Sequence, residues 1–147
     1  MDELLQRIIR LEAAEASRKL ACTYATALDG VDLELLDTLF TEDAVLEVPT
    51  QRFQGRAAVL GFFAEAFAAA TVTKKHFMCN LDVEVTGPSS THMSSYFLYT
   101  FAGQDTSVLG WGTYVDEVVI ADGAARFRYK SISVDVHADV RAGWATT

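Results

Sequence analysis

The chain has 147 residues, half of them hydrophobic and 22% charged, with a net charge of −8 at neutral pH. That balance excludes a disordered chain, and the length suits one domain that buries roughly two-thirds of its unfolded surface without a metal or disulfide staple. The negative field repels polyanions, so no nucleic-acid partner is expected. Cys22 and Cys79 are too few and too far apart for a disulfide framework or a zinc knuckle, and read as reduced thiols. The opening Met1-Asp2-Glu3-Leu4-Leu5 lacks the basic region and apolar stretch of a signal peptide. Ala57 to Val72 is interrupted by Glu65 and is too short for a bilayer span. The expectation is a cytoplasmic protein with no membrane partner.

From Asp2 to Leu28 apolar residues recur at helical spacing, supported by the pairs Glu3–Arg7 and Glu15–Lys19, and Gly30 is the expected stop. Asp32 is placed to cap a short second helix, Leu33 to Phe40. Ala44 to Val48 reads as a strand ended by Pro49, with Gln51 to Gln54 as its hairpin partner. Gly55 opens a third helix, Arg56 to Ala70, with a wide apolar stripe that includes Val59, Phe63 and Phe67. Four strands follow, at about 73–86, 91–102, 107–120 and 125–137, separated by Gly87-Pro88-Ser89, Gly103-Gln104-Asp105 and Asp122-Gly123. Helices first and long strands afterwards is an α+β pattern. A sheet that curls around its helices leaves a cavity walled by the first helix, the third helix and the concave sheet face.

Asp29 falls at the C-terminus of the first helix, where the macrodipole disfavours an anion by a few tenths to about 1 kcal/mol. It is either a solvated turn carboxylate or one kept because a pocket needs its charge. His76, at the start of a strand, is either a satisfied structural histidine or a general base once a carboxylate holds it. Tyr24, five residues before Asp29, is either packing or a phenol that polarises a carbonyl or assists a departing hydroxyl. His92 and His137 read as structural or solvent-facing. No HxH or HExxH spacing suggests a metal, no glycine-rich loop a phosphate or dinucleotide, and no GxSxG elbow or cysteine–histidine neighbour a nucleophile. Gly110 and Gly112 are read as letting a bent strand curl.

The segments Tyr24-Ala-Thr-Ala-Leu-Asp29-Gly-Val-Asp32, Leu39-Phe-Thr-Glu-Asp-Ala44, Lys75-His-Phe-Met-Cys-Asn-Leu81 and Gly112 through Lys130 resemble SnoaL-like proteins of the nuclear transport factor 2-like superfamily. The resemblance implies one such domain over residues 1–147, a cone-shaped α+β fold with a curled, mixed sheet, and a deep apolar pocket. In the scytalone dehydratase, bile-acid 7α-dehydratase and hexachlorocyclohexane dehydrochlorinase branch, the catalytic Asp and His match Asp29 and His76. Tyr24 matches a tyrosine of the bile-acid dehydratase. The dehydrochlorinase has a different polar residue there, which leans the reading to dehydration, and its arginine falls near Ala121, which speaks against its activity here. The implied function is a cofactor-independent Asp–His lyase or isomerase acting on a small hydrophobic, cyclic carbonyl or hydroxyl compound, without a metal. Alternatives are a non-catalytic binding or assembly module, and an epoxide hydrolase or polyketide cyclase in the same cone. Strands with apolar residues on both faces, such as Met93 to Tyr99, imply a homodimer or homotrimer.

Overall fold

The structure, a computed structural model, describes residues 2–69 and 72–141. Helix α1 (Glu3–Asp29) is capped by the Asp2 carboxylate, which accepts from Leu4 N–H. Its first turns carry exposed Leu4, Leu5, Ile8 and Leu11, and burial begins at Ala13. The helix stops at Gly30 as expected, but with a different cap geometry. Gly30 keeps a right-handed φ of −83°, and the left-handed residue is Val31 at φ 55°, while Asp32 N–H reaches back to Ala27 O. This is the hydrogen bond of a Schellman turn, with a β-branched residue where glycine is usual.

Asp32 caps α2 (Leu33–Thr38) through its side chain. The second helix is therefore shorter than expected, because Phe40 has already entered strand β1 (Phe40–Val48), four residues before the expected start. Strands β2 (Gln51–Gln54), β3 (Thr73–Gly87), β4 (Ser90–Ala102), β5 (Ser107–Ala121) and β6 (Ala124–Asp139) complete one six-stranded sheet of order β2-β1-β6-β5-β4-β3. β1 runs parallel to β6 and all other neighbours are antiparallel, so the sheet is mixed. Helix α3 (Arg56–Ala69) matches the expected span; Ala70 lies outside the described residues.

The core lies between the helices and the concave face, where alternate residues of β4 (Met93, Phe97, Tyr99) and β5 (Tyr114, Val118) meet Leu20, Tyr24 and Leu28 of α1. Gly112 has a steric reason to be glycine: a Cβ there would lie 2.0 Å from Ser133 O and 2.7 Å from the Phe97 ring. Among the described residues no helix is long and apolar enough to cross a membrane.

Candidate active site

An open cavity of about 310 Å³ lies between α1, α3 and the concave face, within the range of small-molecule pockets. Tyr24 and Leu28 contribute from α1, Phe63 and Phe67 from α3, and His76 and Tyr99 from the sheet. The walls expected from the sequence are the ones observed, and they are mostly apolar.

Asp29 and His76, 47 residues apart, meet at this cavity. The His76 ring Nδ1 lies 2.7 Å from Asp29 Oδ1, and the His76 backbone N–H donates to Oδ1 at 3.0 Å and Oδ2 at 3.2 Å. Both side chains are nearly enclosed, at 12% and 11% exposure. An ionised carboxylate only accepts, so Nδ1 carries the proton and Nε2 keeps its lone pair. Among the described residues no protein atom hydrogen-bonds Nε2. The unfavourable helix end is thereby offset: the carboxylate gains the strand's N–H and ring, with the Lys75 ammonium 4.0 Å away. Burial lowers the His76 pKa below its ordinary value of about 6.5. Asp29 opposes that shift, and the positive charge of Lys74 adds to it. The imidazole is neutral at neutral pH, as a base must be.

Tyr24 lies at the buried floor of the cavity, and no hydrogen bond links it to Asp29 or His76. Its ring meets Phe63, Tyr114 and Phe127 edge-on at 6.0, 5.8 and 5.6 Å. Among the described residues no hydrogen bond of good geometry reaches its hydroxyl, and the Tyr114 side chain beside it is at most a weak partner. Burial pushes the phenol well above its usual range, with Tyr114 and Asp116 nearby adding to the effect, so it is a neutral donor. An unpaired buried hydroxyl costs about 1–3 kcal/mol unless a ligand oxygen completes it.

A family model described as the SnoaL-like domain matches residues 10–130. The chain belongs to this family. No curated protein matches it in sequence. Among solved structures, this SnoaL-like chain is similar to a protein assigned as a scytalone dehydratase from Novosphingobium aromaticivorans, at 20% identity and TM-score 0.83, over 96% of this chain and 93% of that one. The hexachlorocyclohexane dehydrochlorinase of Novosphingobium barchaimii gives 17% identity and TM-score 0.81, over 96% and 98%. ActVI-ORFA of Streptomyces coelicolor gives 20% and 0.72, over 82% and 96%. These likenesses establish the fold, three helices against a curled, mixed six-stranded sheet.

Three features of this SnoaL-like domain escape the sequence reading. Lys74 also lines the cavity, as the two-residue spacing from His76 on one strand signals. His137 is exposed as expected, yet its Nδ1 lies 2.7 Å from the Tyr99 hydroxyl, and Tyr99 lies nearly parallel to the His76 ring at 6.1 Å. The register row His76–Tyr99–Gly110–His137 explains the reach. A Cβ on Gly110 would stand 2.4 Å from the Tyr99 ring, so only glycine lets that ring cross to β6. Beneath the floor, Lys130 Nζ donates to Asp116 Oδ1 at 2.9 Å, with both side chains fully buried. The ring centroids of Tyr24, Tyr114 and Phe127 stand 4.3, 3.9 and 4.4 Å from that ammonium. Nothing in the spacing of Asp116 and Lys130 announces this pair until β5 and β6 are known to align them. His92, the other histidine, is exposed on β4. Among the described residues no cluster of His, Cys, Asp and Glu could hold a metal.

Proposed function

We propose that the protein is a cofactor-independent lyase or isomerase that begins by removing a proton from carbon, acting on a small hydrophobic, cyclic carbonyl or hydroxyl compound, with residues 1–147 as one domain. The observation that carries this reading is the 2.7 Å contact between Asp29 and His76 at the edge of an open apolar cavity. A binding module with no chemistry would need neither the buried carboxylate nor its hold on one imidazole nitrogen.

His76 Nε2 takes a proton from carbon beside an activating carbonyl, and the imidazolium that forms is stabilised by Asp29, which also fixes the ring. In a dehydration the neighbouring hydroxyl then leaves with that proton as water, and a carbon–carbon double bond remains. Tyr24 donates from the floor to an oxygen on which charge develops. Two proteins of the same fold carry the names dehydratase and dehydrochlorinase, both eliminations, which favours a lyase over an isomerase.

The test is deuterium exchange in D2O against a panel of steroids, polyketide aromatics and cyclic halocarbons, followed by NMR. At least one panel member exchanges with the wild type, and His76→Ala and Asp29→Asn lose that exchange by about 10²–10⁴-fold while remaining folded. Undiminished exchange in either variant refutes the mechanism.

We also infer a cytoplasmic homodimer or homotrimer. Phe77, Tyr96 and Trp111 are exposed on the convex face of adjacent strands β3, β4 and β5, an apolar patch that a second copy would cover. Light scattering at micromolar concentration is expected to give two or three chain masses; one chain mass would contradict it.

A further inference from the structure

Lys74 precedes His76 by two residues on β3, so both side chains project from the concave face, roughly 7 Å apart along the strand. Both line the cavity. The Lys74 side chain is buried, and its ammonium sits 4.4 Å from the centre of the Phe67 ring. Among the described residues no hydrogen bond or ion pair reaches its Nζ; the carboxylate of Asp29 is instead held by His76 and approached by Lys75. Burial lowers the Lys74 pKa from the usual lysine range, and the charge of Asp29 works against that shift. A ring face compensates an ammonium in an apolar wall only in part, so the arrangement is completed when a ligand brings a negative oxygen. The local charge points the same way. Lys74, Lys75 and Asp29 leave this edge of the cavity net positive in a chain whose total is −8.

We propose that Lys74 is the anion-binding residue of the cavity, and that the substrate is a planar, apolar carbonyl compound whose oxygen becomes anionic when the neighbouring proton is removed. This rests on His76 as the base. As the C–H bond breaks, its proton passes to His76 Nε2 and its electron pair forms the carbon–carbon double bond of an enolate. The charge that appears on the oxygen is neutralised by the Lys74 ammonium. Substrates that lack such an oxygen, simple halocarbons among them, gain nothing from this residue.

The test needs no knowledge of the natural substrate. 4-Nitrophenolate carries an anionic oxygen on a planar sp² carbon, and nitrobenzene is its uncharged counterpart. Their affinities are compared by calorimetry at a pH where the phenol is ionised. The wild type is expected to bind the phenolate at least about tenfold more tightly than nitrobenzene, the size of one charge-assisted hydrogen bond. Lys74→Met removes that preference and keeps nitrobenzene affinity within about twofold, which shows that its cavity is intact. Should Lys74→Met lose both ligands, Lys74→Arg decides: a retained preference for the phenolate supports the assignment, and a lost one overturns it. A wild type that binds both ligands equally, or a preference that survives Lys74→Met, also overturns it. Because neither probe requires C–H cleavage, this outcome is independent of the exchange experiment on His76.

Discussion

Lys130→Met tests the buried ion pair beneath the cavity. Methionine fills a similar volume, so the change chiefly removes charge. In the native protein Lys130 Nζ bonds Asp116 Oδ1 at 2.9 Å with both groups sealed from water, and among the described residues Asp116 Oδ2 has no hydrogen-bond partner. The variant leaves the whole carboxyl without a counter-charge and removes the cation from three ring faces at 3.9–4.4 Å. Breaking a buried pair from one side costs about 3–5 kcal/mol. For a chain of this size that lowers the melting temperature by roughly 6–20 °C. The pH dependence identifies the cause. Burial already raises the Asp116 pKa, and Lys130 is the leading influence holding it down. Without Lys130 the folded state prefers the protonated carboxyl, so the deficit is largest near neutrality and shrinks as pH falls through the raised pKa. Urea unfolding at about pH 7 and about pH 5 measures both effects. The double variant Asp116→Leu, Lys130→Met is expected within about 1 kcal/mol of the wild type, or above it. A single variant within about 1 kcal/mol of the wild type, or a double variant as unstable as the single one, would show that the pair is not what holds this part of the core.

Because burial depresses the His76 pKa, the folded protein binds fewer protons than the unfolded chain below about pH 6.5; stability therefore declines from about pH 6.5 down to the folded pKa, while activity holds through neutrality and falls as pH drops through that folded pKa. A pH–rate profile with parallel unfolding checks this, and an acid limb centred above 6.5 would contradict it. Tyr24→Phe removes a buried hydroxyl that has no hydrogen bond of good geometry, so stability changes by no more than about 1 kcal/mol while turnover falls about tenfold or more, as read by melting curves and kcat. Gly112→Ala forces a Cβ against Ser133 O and the Phe97 ring and is expected to destabilise by about 1–3 kcal/mol or more in urea unfolding.

The helical spans and the four long strands are legible because period-3.6 and period-2 patterns reflect burial on one face. The start of β1 is not, since Phe40 is buried by a parallel pairing with Phe127 at the far end of the chain. The end of α1 is legible at Gly30, but its geometry is not: glycine usually takes the left-handed position, and here Val31 takes it. Asp29 is legible as an anion at the wrong helix end, and His76 as a ring near it in the family pattern; their contact depends on α1 lying across β3, which no local spacing encodes. Lys74 is readable by parity with His76. The Tyr99–His137 contact requires knowing that Gly110 stands between them in register.

In the proposed mechanism His76 is a neutral base whose Nδ1–H is held by Asp29 and whose Nε2 lone pair is available at the cavity. Nitrogen-15 NMR of the labelled histidines reads this without a substrate. At neutral pH a protonated Nδ1 and an unprotonated Nε2 are expected for His76, with that preference weakened in Asp29→Asn. An imidazolium, or a neutral ring protonated at Nε2, would contradict it.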